Sequence, residues 1–165
     1  MALKEYIETL SEDKRIDLAI ELLELGLPIW NEYSSKKQKL EYVDTVVGMA
    51  HSVDREIINR VLDTSKRWKN KGVISKDLEQ LNVDFDDPIV ALQDLDWEIP
   101  ENIQLIFYSA YNLVGKMNGE TKTLFGDEQL YLVINQIVDG LTKSGNFSFD
   151  QINSIISKYK APNKK

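Results

Sequence analysis

Apolar residues recur along this chain at three- and four-residue spacing, the period of a helix with one buried face. In "EDKRIDLAIELLEL" the repeat is Ile16, Ala19, Ile20 and Leu23, with Ser11 placed to cap the helix and Gly26 to stop it. Pro28 then suits the first turn of a short segment, "PIWNEY". "KKQKLEYVDTVVGMA" sets Leu40, Val43, Val47 and Ala50 on one helical face. Ser52 reads as the cap of "VDREIINRVLDTSKRWKNK", which buries Ile57, Ile58, Val61, Leu62 and Trp68 and ends at Gly72. Its outer face offers Glu56 to Arg60 and Asp63 to Arg67, both at the favourable four-residue spacing.

The C-terminal half repeats the pattern more cleanly. "ENIQLIFYSAYNLVGKM" carries Ile103, Ile106, Phe107, Ala110, Tyr111 and Val114, with no charge between Glu101 and Lys116. A helix apolar nearly all round belongs in the middle of a bundle. "DEQLYLVINQIVDGL" follows with Leu130, Val133, Ile134, Ile137, Val138 and Leu141, and Ser148 caps a last helix, "FDQINSIISKY". The expectation is an all-α bundle of seven to eight helices, forming one domain over residues 1–160, with a flexible tail at 161–165.

Composition narrows the chemistry. Cysteine is absent, which excludes disulfides and thiolate metal sites. Lys4, Glu5 and Glu8 interrupt the N-terminus where a signal peptide needs an apolar run, and no stretch approaches a membrane span, so a cytoplasmic protein without membrane contact is expected. His51 is the only histidine and has no nucleophile arranged with it, since Ser52 reads as a cap. No phosphate-cradling glycine loop is present. An EF-hand register beginning at Asp84 puts Pro88, Ile89 and Leu95 at required positions, and one beginning at Gly140 lacks the oxygen ligands, so no metal or other cofactor is expected. "DFDD" at 84–87 has no second carboxylate cluster to complete a magnesium site. The basic residues of "SKRWKNK" fall in the last turns of a helix, where the macrodipole favours cations, and a pI near 4.8 argues against nucleic acid.

Charge is the anomaly. Between Ser75 and Glu101 nine carboxylates stand against Lys76 alone, so this window outweighs the formal net charge of −7 and leaves the rest of the chain near neutral. Asp84, Asp86 and Asp87 precede Pro88 and read as residues at a helix N-terminus, where negative charge is stabilising. Asp94, Asp96 and Glu98 fall where a helix ends, which the macrodipole disfavours, and they flank Trp97. Trp97 suits either the core or an interface. Such a segment fits docking on a basic protein.

A short, cysteine-free, acidic, helical chain bearing "DFDDPIVALQDLDWE" resembles the immunity proteins of bacterial toxin–immunity pairs. The resemblance implies a non-enzymatic inhibitor that occludes the active cleft of a basic toxin, of nuclease type. Asp94, Asp96, Glu98 and Trp97 would lie at the centre of contact, with Asp84 and Asp86 at its rim. Two other classes fit the same segment. One is a regulatory or adaptor domain for another basic protein, and the other an all-α metal-dependent hydrolase using the acidic window.

Overall fold

The computed structural model describes residues 3–71, 76–120 and 128–159. Seven helices lie among them, α1 (Leu3–Thr9), α2 (Glu12–Ser35), α3 (Ile57–Lys71), α4 (Lys76–Gln93), α5 (Glu101–Met117), α6 (Gln129–Lys143) and α7 (Phe149–Ser157). They surround one hydrophobic core. The all-α expectation holds, with one addition, a two-stranded hairpin of β1 (Glu41–Asp44) and β2 (Met49–Ser52). Gly72, Ser75 and the tail at 161–165 lie outside the described residues.

Helix α5 occupies the middle, as its all-round apolarity predicts, and packs against α2, α3, α4 and α6. Its Phe107 is the hub of an aromatic cluster, with ring centroids of Phe85, Trp97 and Trp30 at 4.9, 5.2 and 5.8 Å. Ser148 caps α7 as expected, and Gln151 completes a capping box by accepting the Ser148 N–H at 2.8 Å.

Three expectations fail, each for a long-range reason. Helix α2 does not stop at Gly26 but runs through Gly26 and Pro28 to Ser35. A Cβ on Gly26 would stand 2.9 Å from Ile137 Cδ1, so this glycine lets α6 approach rather than ending a helix. A proline inside a helix costs ~3 kcal/mol. Here burial of Ile29 and Trp30 just beyond it offsets that cost, and the Trp30 indole N–H donates to the Arg55 carbonyl at 2.8 Å.

Residues 41–52 form the hairpin instead of a helix, with Tyr42 opposite His51 and Val43 opposite Ala50. Val43 and Val47, expected in the core, are 49% and 62% exposed, whereas Tyr42 is 6% exposed. The β-branched residues around Asp44 favour extended backbone. Asp44 then closes the turn, because its carboxylate accepts the Val46 N–H at 2.8 Å and its carbonyl accepts the Gly48 N–H at 2.7 Å. Gly48 supplies the positive φ of 70° that the turn requires. Ser52 ends β2 rather than capping α3. Asp54 takes that place, its carboxylate accepting the Glu56 N–H at 2.9 Å.

Helix α4 also ignores its proline, so Asp84, Asp86 and Asp87 sit in mid-helix and not at an N-terminus. Its buried side is Leu78, Leu81, Phe85, Ile89 and Leu92. The opposite side, at the same helical period, exposes Val83, Asp86, Asp87 and Val90.

Candidate functional site

The hairpin lies beside the C-terminal half of α4, and the two are tied by the Thr45 hydroxyl donating to the Asp96 carboxylate at 2.8 Å. Between them is a cleft of about 160 Å³, into which Asp44, His51, Asp87, Asp94 and Asp96 bring their polar groups. Tyr42, Val46, Val90 and Ala91 also line it, and no described Lys or Arg does.

The six carboxylate and aromatic residues singled out from the sequence fare differently. Asp94 and Asp96 meet in the cleft, Asp94 exposed and Asp96 half-buried. Asp86 and Glu98 are exposed on either side of it in the chain and do not line it. Asp84 is turned to structural work. Arg60 donates to it at 2.8 Å and to Asp54 at 2.8 Å, while the Gln80 amide donates to its other oxygen at 2.8 Å. Burial opposes the charge on Arg60, but these two carboxylates outweigh burial and raise its pKa. Trp97 is 5% exposed, wedged edge-on against Phe107 and 6.0 Å from Tyr42, so it is a core residue and not a surface anchor.

Among the described residues no Lys or Arg forms an ion pair with Asp86, Asp87, Asp94 or Glu98. Their field reaches Tyr42, whose phenol pKa is raised by burial first, then by Asp87 and Asp44. Neither the Tyr42 hydroxyl nor the His51 ring makes a hydrogen bond to a described residue. His51 stacks on Tyr42 with centroids 5.3 Å apart. No group of three or more His, Asp or Glu side chains among the described residues is placed to hold a metal ion.

The turn leaving α4 places a leucine in solvent. The Asp96 N–H bonds the Ala91 carbonyl at 2.8 Å and the Leu95 N–H bonds the Leu92 carbonyl at 3.3 Å, the two bonds of a Schellman ending. Its left-handed position, normally Gly, is occupied by Leu95 at φ 62°, and this leucine is 73% exposed. A Cβ in that conformation costs ~1–2 kcal/mol. The chain thus holds an aliphatic side chain in solvent at a conformational cost, between Asp94 and Asp96. Further exposed aliphatics lie on the hairpin and α4, namely Val46 at 90%, Val47 at 62%, Met49 at 59% and Val90 at 51%.

Sequence reasoning missed the hairpin's share of this face. The signal was present in "DTVVG", where an Asp starts a turn and a Gly closes it four residues later.

No helix among the described residues is long and apolar enough to cross a membrane. Comparison of the chain with protein-family models, with curated proteins and with solved structures finds no match.

Proposed function

We propose that this chain is a stoichiometric protein inhibitor, an immunity-type protein that neutralises a basic toxin, of nuclease type, by covering its active cleft. The observation that carries the reading is the mixed face of α4 and the hairpin. Carboxylates without cationic partners alternate there with exposed Val46, Val90 and Leu95. Apolar area supplies affinity when it is covered, and the uncompensated charge speeds encounter with a cationic surface and rejects an anionic one. The strain at Leu95 supports the same reading, because backbone strain is characteristically kept where a side chain is presented for function.

Capture by the tagged chain from its source cell, washed at low and then high salt, tests this. The expected result is one basic protein retained in near-equal amount and silenced one-to-one by the chain. It should be lost from the Asp86→Lys/Asp94→Lys/Glu98→Lys variant, whose helicity stays unchanged. If nothing specific is retained, or if the variant retains it equally, the reading is wrong. Capture of a basic protein that is not silenced would assign the chain to the adaptor class instead.

A further inference from the structure

We propose that the cleft between the hairpin and the last turn of α4 is a receptor for one arginine side chain of the protein partner. The proposal rests on the docking reading above and adds what the face grips. Size comes first. The cleft measures about 160 Å³. Pockets that enclose a whole small molecule run to ~300–1,000 Å³, so this one suits a side chain delivered by a larger surface.

Charge decides which side chain. Asp44, Asp87, Asp94 and Asp96 line the cleft with no cation among its walls. The C-terminal end of α4 adds the negative end of its macrodipole, since Val90 and Ala91 of the last turns lie in the same wall. Tyr42 gives a second, independent indication. It is more than nine-tenths buried, at 6% exposed, yet its hydroxyl makes no hydrogen bond to a described residue. Tyr42 lines the cleft, and the carboxylates of Asp87 and Asp44, which line it too, act electrostatically on the phenol, which sets the hydroxyl on the cleft side of the ring. A phenol oxygen there can accept a hydrogen bond from an incoming donor.

The carboxylates come from three places, the hairpin turn, the middle of α4 and the turn after it. They are too dispersed to form a metal-binding group among the described residues. A guanidinium presents five N–H donors in a flat fork and can reach separated acceptors at once, whereas an ammonium concentrates three donors at one point. Val46 and Val90 line the cleft and offer apolar surface to the methylene stem of an arginine. Leu95 and Val47 do not line it but are exposed and adjoin lining residues in the chain, so they would be available to the residues on either side of that arginine.

Because His51 is the only histidine, its ring signals in a histidine-labelled sample report on this cleft alone. The probe is arginine blocked as its N-acetyl N-methylamide, titrated at constant ionic strength. The neutral citrulline analogue and the equally blocked lysine are run beside it. The His51 signals should shift saturably in the millimolar range with arginine. Citrulline should bind at least ~10-fold more weakly, because the carboxylates then have no charge to meet. The Asp87→Asn/Asp94→Asn variant should lose the saturable shift. Both residues are exposed without side-chain partners among the described residues, so its fold is expected to persist, with unliganded His51 signals as the check. No saturation, or equal binding of citrulline, overturns the proposal, and lysine binding as tightly as arginine overturns the guanidinium assignment. The titration needs no partner, so the two readings can fail separately. An unresponsive cleft in a chain that still captures and silences its partner refutes the receptor alone. Arginine uptake in a chain that captures nothing refutes the docking reading alone.

Discussion

Two of the concave regions lined with carboxylates are built on opposite principles. The larger, about 540 Å³, lies along α2 and α3 and contains Asp17, Glu21 and Glu24. Every one of these acids is answered. Lys69 pairs with Asp17, Lys66 with Glu24 at 2.5 Å, and Lys158 with Glu21 at 3.1 Å, while the Tyr159 hydroxyl also donates to Glu21. Burial would raise the pKa of Glu21, but the bonds from Tyr159 and Lys158 outweigh it and hold the carboxyl below its usual range. The smaller cleft beside the hairpin has four carboxylates and no cation. Concavity therefore does not mark the site in this molecule. What separates the two regions is whether the described residues neutralise one another's charge, and in the smaller cleft they do not.

The sharpest test of this division concerns Trp97, which lies in the acidic segment but belongs to the core. Trp97→Ala should lower the folding free energy by ~3–5 kcal/mol, the usual cost of emptying a buried aromatic site. Chemical denaturation measures it. A loss below ~1 kcal/mol would put Trp97 back on the surface. Next in size is the triple charge reversal at Asp86, Asp94 and Glu98. It should weaken the partner complex at least ~100-fold by calorimetry while the melting temperature changes little, since like charges brought together at an interface cost several kcal/mol. Asp96 is left out because it holds Thr45, so its replacement would loosen the hairpin as well as remove charge.

Leu95→Gly should separate stability from function. Relief of ~1–2 kcal/mol of left-handed strain, less ~0.5–1 kcal/mol of added unfolded-state entropy, should leave the protein more stable by up to ~1.5 kcal/mol. The same change should weaken partner binding by ~10-fold, on the scale of an uncovered leucine. A variant that is both less stable and fully able to bind would remove Leu95 from the face. The smallest effect is expected in the neutralised groove. Lys66→Gln/Lys69→Gln should cost under ~1 kcal/mol, as exposed ion pairs do, and leave partner affinity unchanged. A large loss of affinity there would collapse the distinction between the two regions.

What the sequence made legible follows the same local-versus-distant divide. Helices α5, α6 and α7 are readable because their apolar period is unbroken, and for α7 the Ser148 cap and its Gln151 partner agree with it. Gly26, Pro28 and Pro88 mislead because their local tendency to break helices is overruled by neighbours far along the chain. The hairpin misleads for another reason. Leu40, Val43 and Val47 satisfy a helical spacing, yet the alternation that matters runs through Tyr42, and a turn sits between the two halves. The excess of acid is visible in the sequence, but its division is not. Arg60 reaches Asp84 from 24 residues away and Thr45 reaches Asp96 from 51, so folding alone decides which carboxylates remain available.

Among the described residues the hairpin has two strands and no third. Each strand therefore keeps one margin of main-chain N–H and C=O groups that no described segment takes up, a template on which any extended chain, including another copy, could add itself. Asp44 belongs to β1 itself, and Asp87, Asp94 and Asp96 line the cleft beside the hairpin. Two identical copies approaching through it bring like charges together, whereas a cationic chain meets attraction. Uncompensated charge beside the hairpin would thus disfavour pairing of identical copies through it and favour a chain of opposite sign.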